Sequence, residues 1–222
     1  MSSQRYQPRA SQRINVPRSR RARKPLKHLD GPRDQSPPED WHEPVIGGTG
    51  YKIITQSPGE GYRHIVTPEQ VRERLSLVPQ QFLEGLDVIQ LSCMTMKKQR
   101  MPCYGLQWGT SLYLYPLEES LEEWFNIPPL PNVVNEAQMY GGVWDEPWPD
   151  TYRLTWSESA IVDFYLNNIL IHELGHHVDK RNTNAVKRER YAEWFAIQYG
   201  YLASGGREAR KRPIVRRHHS KG

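Results

Sequence analysis

The chain has 222 residues, of which 37% are hydrophobic and 25% are charged, and its net charge is +5. The charge is unevenly distributed: residues 1–27 hold nine Lys/Arg and no acid, residues 207–222 hold seven Lys/Arg and one acid, and the middle is left with a net charge of −10. Because no run of 18 apolar residues is present and no apolar stretch follows the basic N-terminus, the sequence excludes a membrane-spanning helix and argues against a secretory signal peptide.

The composition predicts three parts. Residues 1–44, rich in Arg, Ser, Gln and Pro, are expected to form a disordered basic tail, residues 45–205 a folded domain, and residues 206–222 a second basic tail. The tails could contact nucleic acid or an anionic surface, or could act only as solvated segments. The two cysteines, Cys93 and Cys103, are too few for a disulfide framework or a four-thiolate zinc site, so we expect free thiols and a cytoplasmic protein.

The first half of the predicted domain contains mostly strand patterns. Ile53-Ile54 follows a glycine-rich turn and favours a strand, whereas Thr67-Pro68-Glu69-Gln70 is typical of a helix start with a capping box. Apolar and β-branched runs predict strands over Leu86–Met94 and Leu106–Tyr115, joined by a basic loop at Lys97–Arg100.

The second half is expected to end in two helices. Pro116–Phe125 predicts a short acidic helix, the Pro-rich run after it a loop, and Met139–Trp156 an irregular hairpin whose last strand is Thr151–Trp156. Helical patterns then cover Ser157–Asp179 and Ala185–Leu202. Strands first and helices last predict an α+β fold.

The first of these helices contains the most informative motif. Apolar residues surround almost the whole of Ser157–Asp179, so the helix must be buried, yet it includes the sequence His172-Glu173-Leu174-Gly175-His176. Imidazoles four residues apart lie on one helical face and can share a zinc ion, and Glu173 beside them can take a proton from a water molecule. Gly175 weakens a helix interior, which indicates that another backbone or a substrate comes close. The alternative is a pair of hydrogen-bonded core histidines with a surface glutamate.

A hydrolytic zinc site requires a third protein ligand and an open position. On the second predicted helix, Glu189 and Glu193 lie four residues apart on one face, and Glu189 can reach a metal ion while Glu193 hydrogen-bonds a liganding histidine. The two roles could be exchanged, or both carboxylates could be solvated and paired with Arg188 and Arg190.

Three further polar residues lie near the motif. Asp179 could orient an imidazole or pair with Lys180 or Arg181 at the helix end, and His177 is expected to point away from the metal ion. Asn168, one turn before the first histidine, could contact substrate or form a hydrogen bond in the core.

The segments HELGHHVD (172–179) and ERYAEWFA (189–196) resemble the active-site helices of the gluzincin zinc metallopeptidases. They are most similar to the lethal-factor-like and Mlc titration factor-like branches, whose patterns are H-E-[FL]-x-H-x-[VL]-D and E-x-[FY]-A-E-x-F. The resemblance is limited to residues 172–196, and the short spacing between its two helices implies a minimal domain.

The resemblance implies that His172, His176 and Glu189 bind one zinc ion and that Glu173 is the catalytic base. Glu193 and Asp179 match positions that support the site. No tyrosine of the family pattern precedes the third ligand, so the group that stabilises the transition-state oxyanion is unassigned.

These observations predict a minimal zincin-like domain that hydrolyses peptide bonds in a peptide or protein substrate. A small antiparallel or mixed sheet would pack on the buried helix, and the resemblance implies that an extended substrate lies along an edge strand, for which Ser111–Tyr115 is the candidate. Two alternatives remain: a zinc hydrolase for non-peptide amides, and a non-catalytic zinc protein whose basic tails bind nucleic acid or another anionic partner.

Overall fold

The structure is a computed structural model that describes residues 37–45, 48, 50–100 and 102–205. The predicted C-terminal tail at 206–222 and most of the N-terminal tail at 1–44 lie outside this part of the chain. No helix in the part that is described has both the length and the apolar character needed to cross a membrane.

The architecture is α+β, with small sheets in the first two thirds of the chain and the longest helical segments at its end. The strands are β1 (Lys52–Thr55), β2 (Tyr62–Arg63), β3 (Val88–Leu91), β4 (Gly105–Trp108), β5 (Ser111–Leu114), β6 (Leu117–Glu118), β7 (Glu122–Phe125), β8 (Val143–Trp148) and β9 (Thr151–Thr155). The α-helices are α1 (Pro68–Ser76), α2 (Met96–Arg100), α3 (Pro131–Met139), α4 (Glu158–Phe164), α5 (Leu170–Val178) and α6 (Ala185–Ala196).

The largest sheet has the order β1-β3-β5-β4 and is mixed: β1, β3 and β5 are parallel, and β4 is antiparallel to β5. The segment Leu106–Tyr115, predicted as one strand, is in fact a hairpin that reverses at Gly109, whose φ of +58° suits glycine. The prediction that Ser111–Tyr115 is an edge strand is therefore wrong, because β5 lies between β3 and β4. The edge strands of this sheet are β1 and β4, and α5 packs against β4.

A second sheet, of order β7-β9-β8, corrects another prediction. Pro116–Phe125 is not a helix but contains β6 and β7, separated by a turn in which Leu121 has a φ of +55°. Four glutamates favour a helix locally, but pairing with β9 buries Trp124 and Phe125, and this tertiary contact prevails. Glu123 is buried in the same sheet and accepts hydrogen bonds from Tyr104 Oη and Trp156 Nε1 at 2.7 and 3.2 Å.

The local helix signals are confirmed at two termini: Thr67 caps α1 in a complete capping box, and Ser157 caps α4. Asn184, which was predicted only as part of a polar turn, caps α6. Two segments predicted as loops contain helices instead: Lys97–Arg100 belongs to α2, and the Pro-rich run ends at α3, because Pro131 occupies a first-turn position that proline tolerates.

Residues 37–44, assigned from the sequence to the N-terminal tail, contact the main sheet. Asp40 Oδ2 accepts a hydrogen bond from Gln90 Nε2 at 2.7 Å, and His42 Nε2 lies 2.7 Å from Gln90 Oε1. His42 also stacks on Tyr113 of β5. These contacts extend the folded part of the chain upstream of the predicted boundary at Val45.

Two long helical segments run antiparallel and form the core beside β4. The first contains α4, a π turn at Tyr165–Ile169 (the first π turn) and α5; the second contains α6 and a π turn at Ile197–Leu202 (the second π turn). Their backbones come close at two glycines, because Gly175 packs on Ala192 and Gly200 packs on the carbonyl oxygen of Asn167. The expectation that another backbone approaches Gly175 is confirmed.

We expect Gly175→Ala to lower the free energy of unfolding by about 1–2 kcal/mol, although alanine is the better helix former. The new Cβ would lie 3.0 Å from both Ala192 Cα and Phe195 Cβ, so α5 and α6 would have to separate. Urea denaturation measures the effect. Asn135→Ala, at an exposed position of α3, is the control that isolates helix propensity and should not destabilise the protein. A Gly175→Ala protein as stable as the wild type would contradict this packing.

Candidate metal centre

Three side chains that could bind a metal ion converge where α5 meets α6. The Nε2 atoms of His172 and His176 are 3.1 Å apart, and each lies 3.5 Å from a different carboxylate oxygen of Glu189. Both histidines are 4% exposed, and Glu189 is partly buried. The imidazoles come together because they are one helical turn apart, and Glu189 reaches them because Gly175 brings α6 close.

The donor set fits a divalent metal ion. One ligand atom from each residue lies within 4.8 Å of the others, a spacing that a single ion can bridge. Two imidazole nitrogens and one carboxylate are a ligand combination of catalytic zinc sites, which leave a further position open. Among the described residues, the group that could hold a metal ion contains Glu189 and not Glu193, which favours Glu189 as the third ligand.

Glu173 is the most unusual residue of the site. It is 0% exposed, and neither of its carboxylate oxygens has a hydrogen-bond partner within the described part of the chain. A buried carboxylate without a partner costs free energy of folding, so this carboxylate requires an explanation such as a reactive role or a ligand.

Gly105, at the start of β4, leaves the space that the buried side chain of Glu173 occupies. A Cβ atom on Gly105 would lie 2.8 Å from Glu173 Cγ and 3.0 Å from Glu173 Oε1. The strand backbone therefore forms one wall around the buried carboxylate. Gly105 was not predicted as a site residue, because a single glycine before a strand carries no signal that a helix will approach it.

Glu193 lies one turn after Glu189 and beside the first histidine. Burial raises the pKa of Glu193, the charge of His172 lowers it, and the nearby carboxylates of Glu136 and Glu189 raise it further. Asn168, which the sequence analysis considered as a substrate contact or a core residue, donates a hydrogen bond from Nδ2 to Glu136 Oε1 at 2.5 Å. The carboxylates of Glu136, Glu189 and Glu193 thus lie together on the N-terminal side of the site.

Asp179 and His177, the remaining residues that the sequence predicted near the site, lie at the C-terminal end of α5. Asp179 accepts hydrogen bonds from the backbone N–H groups of Arg181 and Asn182 and from Asn182 Nδ2; burial alone would raise its pKa, and these bonds lower it. Asp179 thus stabilises the turn into α6. His177 points away from the cluster but is buried rather than exposed, with Nε2 3.0 Å from the carbonyl oxygen of Glu84.

Arg188, which the sequence analysis considered only as a partner of a solvated glutamate, links the elements around the site. Its Nη2 donates to the backbone oxygen of His176 and to Gln107 Oε1 of β4, at 3.3 and 3.2 Å. The end of α5, the start of α6 and the edge strand are thereby joined next to the cluster.

Comparisons of the chain with models of protein families, with curated proteins and with solved structures found no match.

Proposed function

We propose that the protein is a cytoplasmic zinc-dependent metallopeptidase with a minimal zincin-like domain. The observation that carries the proposal is the convergence of His172, His176 and Glu189 next to the buried, unpartnered carboxylate of Glu173. A purely structural metal site has no use for an unpaired carboxylate beside its three ligands, whereas hydrolysis requires a base. The thiols of Cys93 and Cys103 are compatible with a reducing compartment.

In this proposal each side chain has a defined task. Zinc, when bound by the two histidines and Glu189, supplies Lewis acidity that activates water and polarises a carbonyl oxygen. Glu173 accepts the proton of the attacking water and passes it to the nitrogen of the leaving amine. Its burial against Gly105 keeps the carboxylate unsolvated and in one orientation, so little reorganisation is needed during the reaction.

The substrate in this proposal is an extended peptide beside β4. The strand pairs with β5 on one side, and its other side has no strand partner in the part of the chain that is described, so its backbone groups are available for peptide addition. Gly105 belongs to this strand, so a peptide there would lie near Glu173. β4 thus replaces Ser111–Tyr115 as the candidate strand for substrate binding.

The test is a comparison of wild type with Glu189→Ala, in which metal content and cleavage of a peptide library are measured. We expect one zinc ion per wild-type chain and a loss of zinc affinity in the variant larger than the roughly 10–100-fold that loss of a supporting residue costs. Cleavage should be lost with the metal. Arg190→Ala, next to it and exposed, is the matched control and should retain both properties. A wild-type protein without metal or cleavage would reject the proposal.

A further inference from the structure

A buried arginine outside the metal cluster connects the two helical segments that carry it. Arg74 lies on α1 and is 8% exposed, between the buried apolar residues Val71 and Leu75. Burial lowers its pKa, as expected for a cation removed from water. A charge in such a position is costly unless it makes strong hydrogen bonds, so its partners indicate what it does.

Both acceptors of Arg74 belong to the π turns. Its Nε donates to Asn167 Oδ1 in the first π turn at 2.6 Å, and its Nη2 donates to the backbone oxygen of Tyr199 in the second. The planar guanidinium presents these donors at a fixed angle, which the single ammonium of lysine cannot reproduce. One side chain therefore holds two helical segments in one relative position.

The two π turns also contact each other directly at this point. Gly200 packs on the carbonyl oxygen of Asn167 so closely that a Cβ atom would overlap it. The same carbonyl oxygen accepts a hydrogen bond from Tyr140 Oη at 3.1 Å. The carbonyl group of Asn167 in the first π turn thus accepts one hydrogen bond and packs closely against Gly200.

The first π turn determines which way the metal ligands face. Inserting one residue into an α-helix rotates all later residues by about 100° around the helix axis. His172 and His176 follow the first π turn directly, so a regular α-helix would turn both imidazoles away from Glu189. The second π turn directly follows α6 and contacts the first π turn. This contact fixes the position of α6, and hence of Glu189, relative to the rotated histidines.

We propose that Arg74 is a positioning residue of the metal centre: by bonding both π turns it fixes the rotation of α5 and the placement of α6, so that the two histidines and Glu189 converge. This inference rests on the proposed metal site. It assigns to α1 a part in metal affinity, although α1 contributes no ligand.

The test uses the full chain and measures the affinity for Zn²⁺ by chelator competition and the visible spectrum of bound Co²⁺, which reports coordination geometry. The two variants are Arg74→Met and Arg74→Lys. Methionine has a side chain of similar length but no guanidinium group, whereas lysine keeps the positive charge without the planar arrangement of donors. Arg72→Met is the matched control, because Arg72 is exposed on the same helix. Its one ion pair is weak, since Arg72 Nη1 and Glu69 Oε1 are exposed and 3.9 Å apart. We expect zinc affinity to fall at least about 10-fold in both Arg74 variants, with an altered cobalt spectrum, and to be unchanged in the control.

Thermal unfolding separates positioning from folding. Arg74→Met leaves Asn167 Oδ1 and the backbone oxygen of Tyr199 without this donor, so we expect its unfolding temperature to fall. A purely structural role predicts that the Arg74→Met protein, where it is folded, has wild-type metal binding, and that result would overturn the proposal. If Arg74→Met does not fold, Arg74→Lys decides: wild-type affinity and spectrum in that variant also overturn it. A wild type that binds no metal rejects the metal site itself, whereas metal binding that is insensitive to both Arg74 changes rejects only the role of Arg74.

Discussion

Glu173→Gln is expected to reduce peptide-bond cleavage by at least about 100-fold while the zinc content of the protein stays at the wild-type level. The amide has nearly the same shape as the carboxylate and fits the same space against Gly105, but it cannot accept a proton from water. Because the wild-type carboxylate is buried without a hydrogen-bond partner among the described residues, the metal-free variant should unfold at a temperature no lower than the wild type.

The matched control is Glu158→Gln, the same change at the exposed start of the same helical segment. Glu158 pairs with Arg63 at 2.6 Å, and its side chain is 71% exposed, so we expect wild-type cleavage in this variant. Cleavage assays and metal analysis on the purified proteins provide the comparison. Equal cleavage by wild type and Glu173→Gln would show that Glu173 is not the base.

Gly105→Ala should reduce turnover about 10- to 100-fold, because an error of about 1 Å in the position of a reacting group can have an effect of this size. The added Cβ would lie 2.8 Å from both Glu173 Cγ and Ile169 Cγ2, so either the carboxylate or the edge strand must move. The free energy of unfolding should also fall, by about 1–3 kcal/mol. Turnover is measured well below the unfolding temperature, with metal content determined in parallel.

Gly142→Ala separates the effect on the site from the effect on stability. Its Cβ would lie 3.0 Å from the backbone oxygen of Ala137 and from Leu154 Cδ1, so this glycine is also crowded but contacts no residue of the metal centre. We expect Gly142→Ala to destabilise the protein and to retain turnover per folded molecule. If both alanine variants retain turnover, Gly105 has no part in positioning Glu173.

The convergence of the metal cluster could be expected from the sequence because its determinants are local. The spacing of His172 and His176 places both on one face of any α-helix, and the short link to α6 restricts where Glu189 can lie. Apolar residues around the helix predicted its burial, and Thr67 and Ser157 marked helix starts through their own capping bonds.

The parts that could not be predicted depend on contacts distant in sequence. Whether Trp124 and Phe125 belong to a helix or a strand is decided by β9, and the edge position of β4 by the reversal at Gly109. The π turns could not be predicted from the sequence, since the contacts that they make with Arg74 and Gly200 join residues distant in sequence. For the same reason the position of Gly105 against Glu173 emerges only in the folded chain.

The unpartnered carboxylate of Glu173 has an evolutionary consequence. A buried acid without a partner lowers the stability of the chain by about 1–3 kcal/mol, and many single substitutions would restore that stability. Selection for folding alone would therefore favour a neutral side chain at this position. In a descendant that no longer needed the proposed reaction, Glu173 should be among the first residues to change, while Gly175 and Arg74, which contact both helical segments, should persist longer.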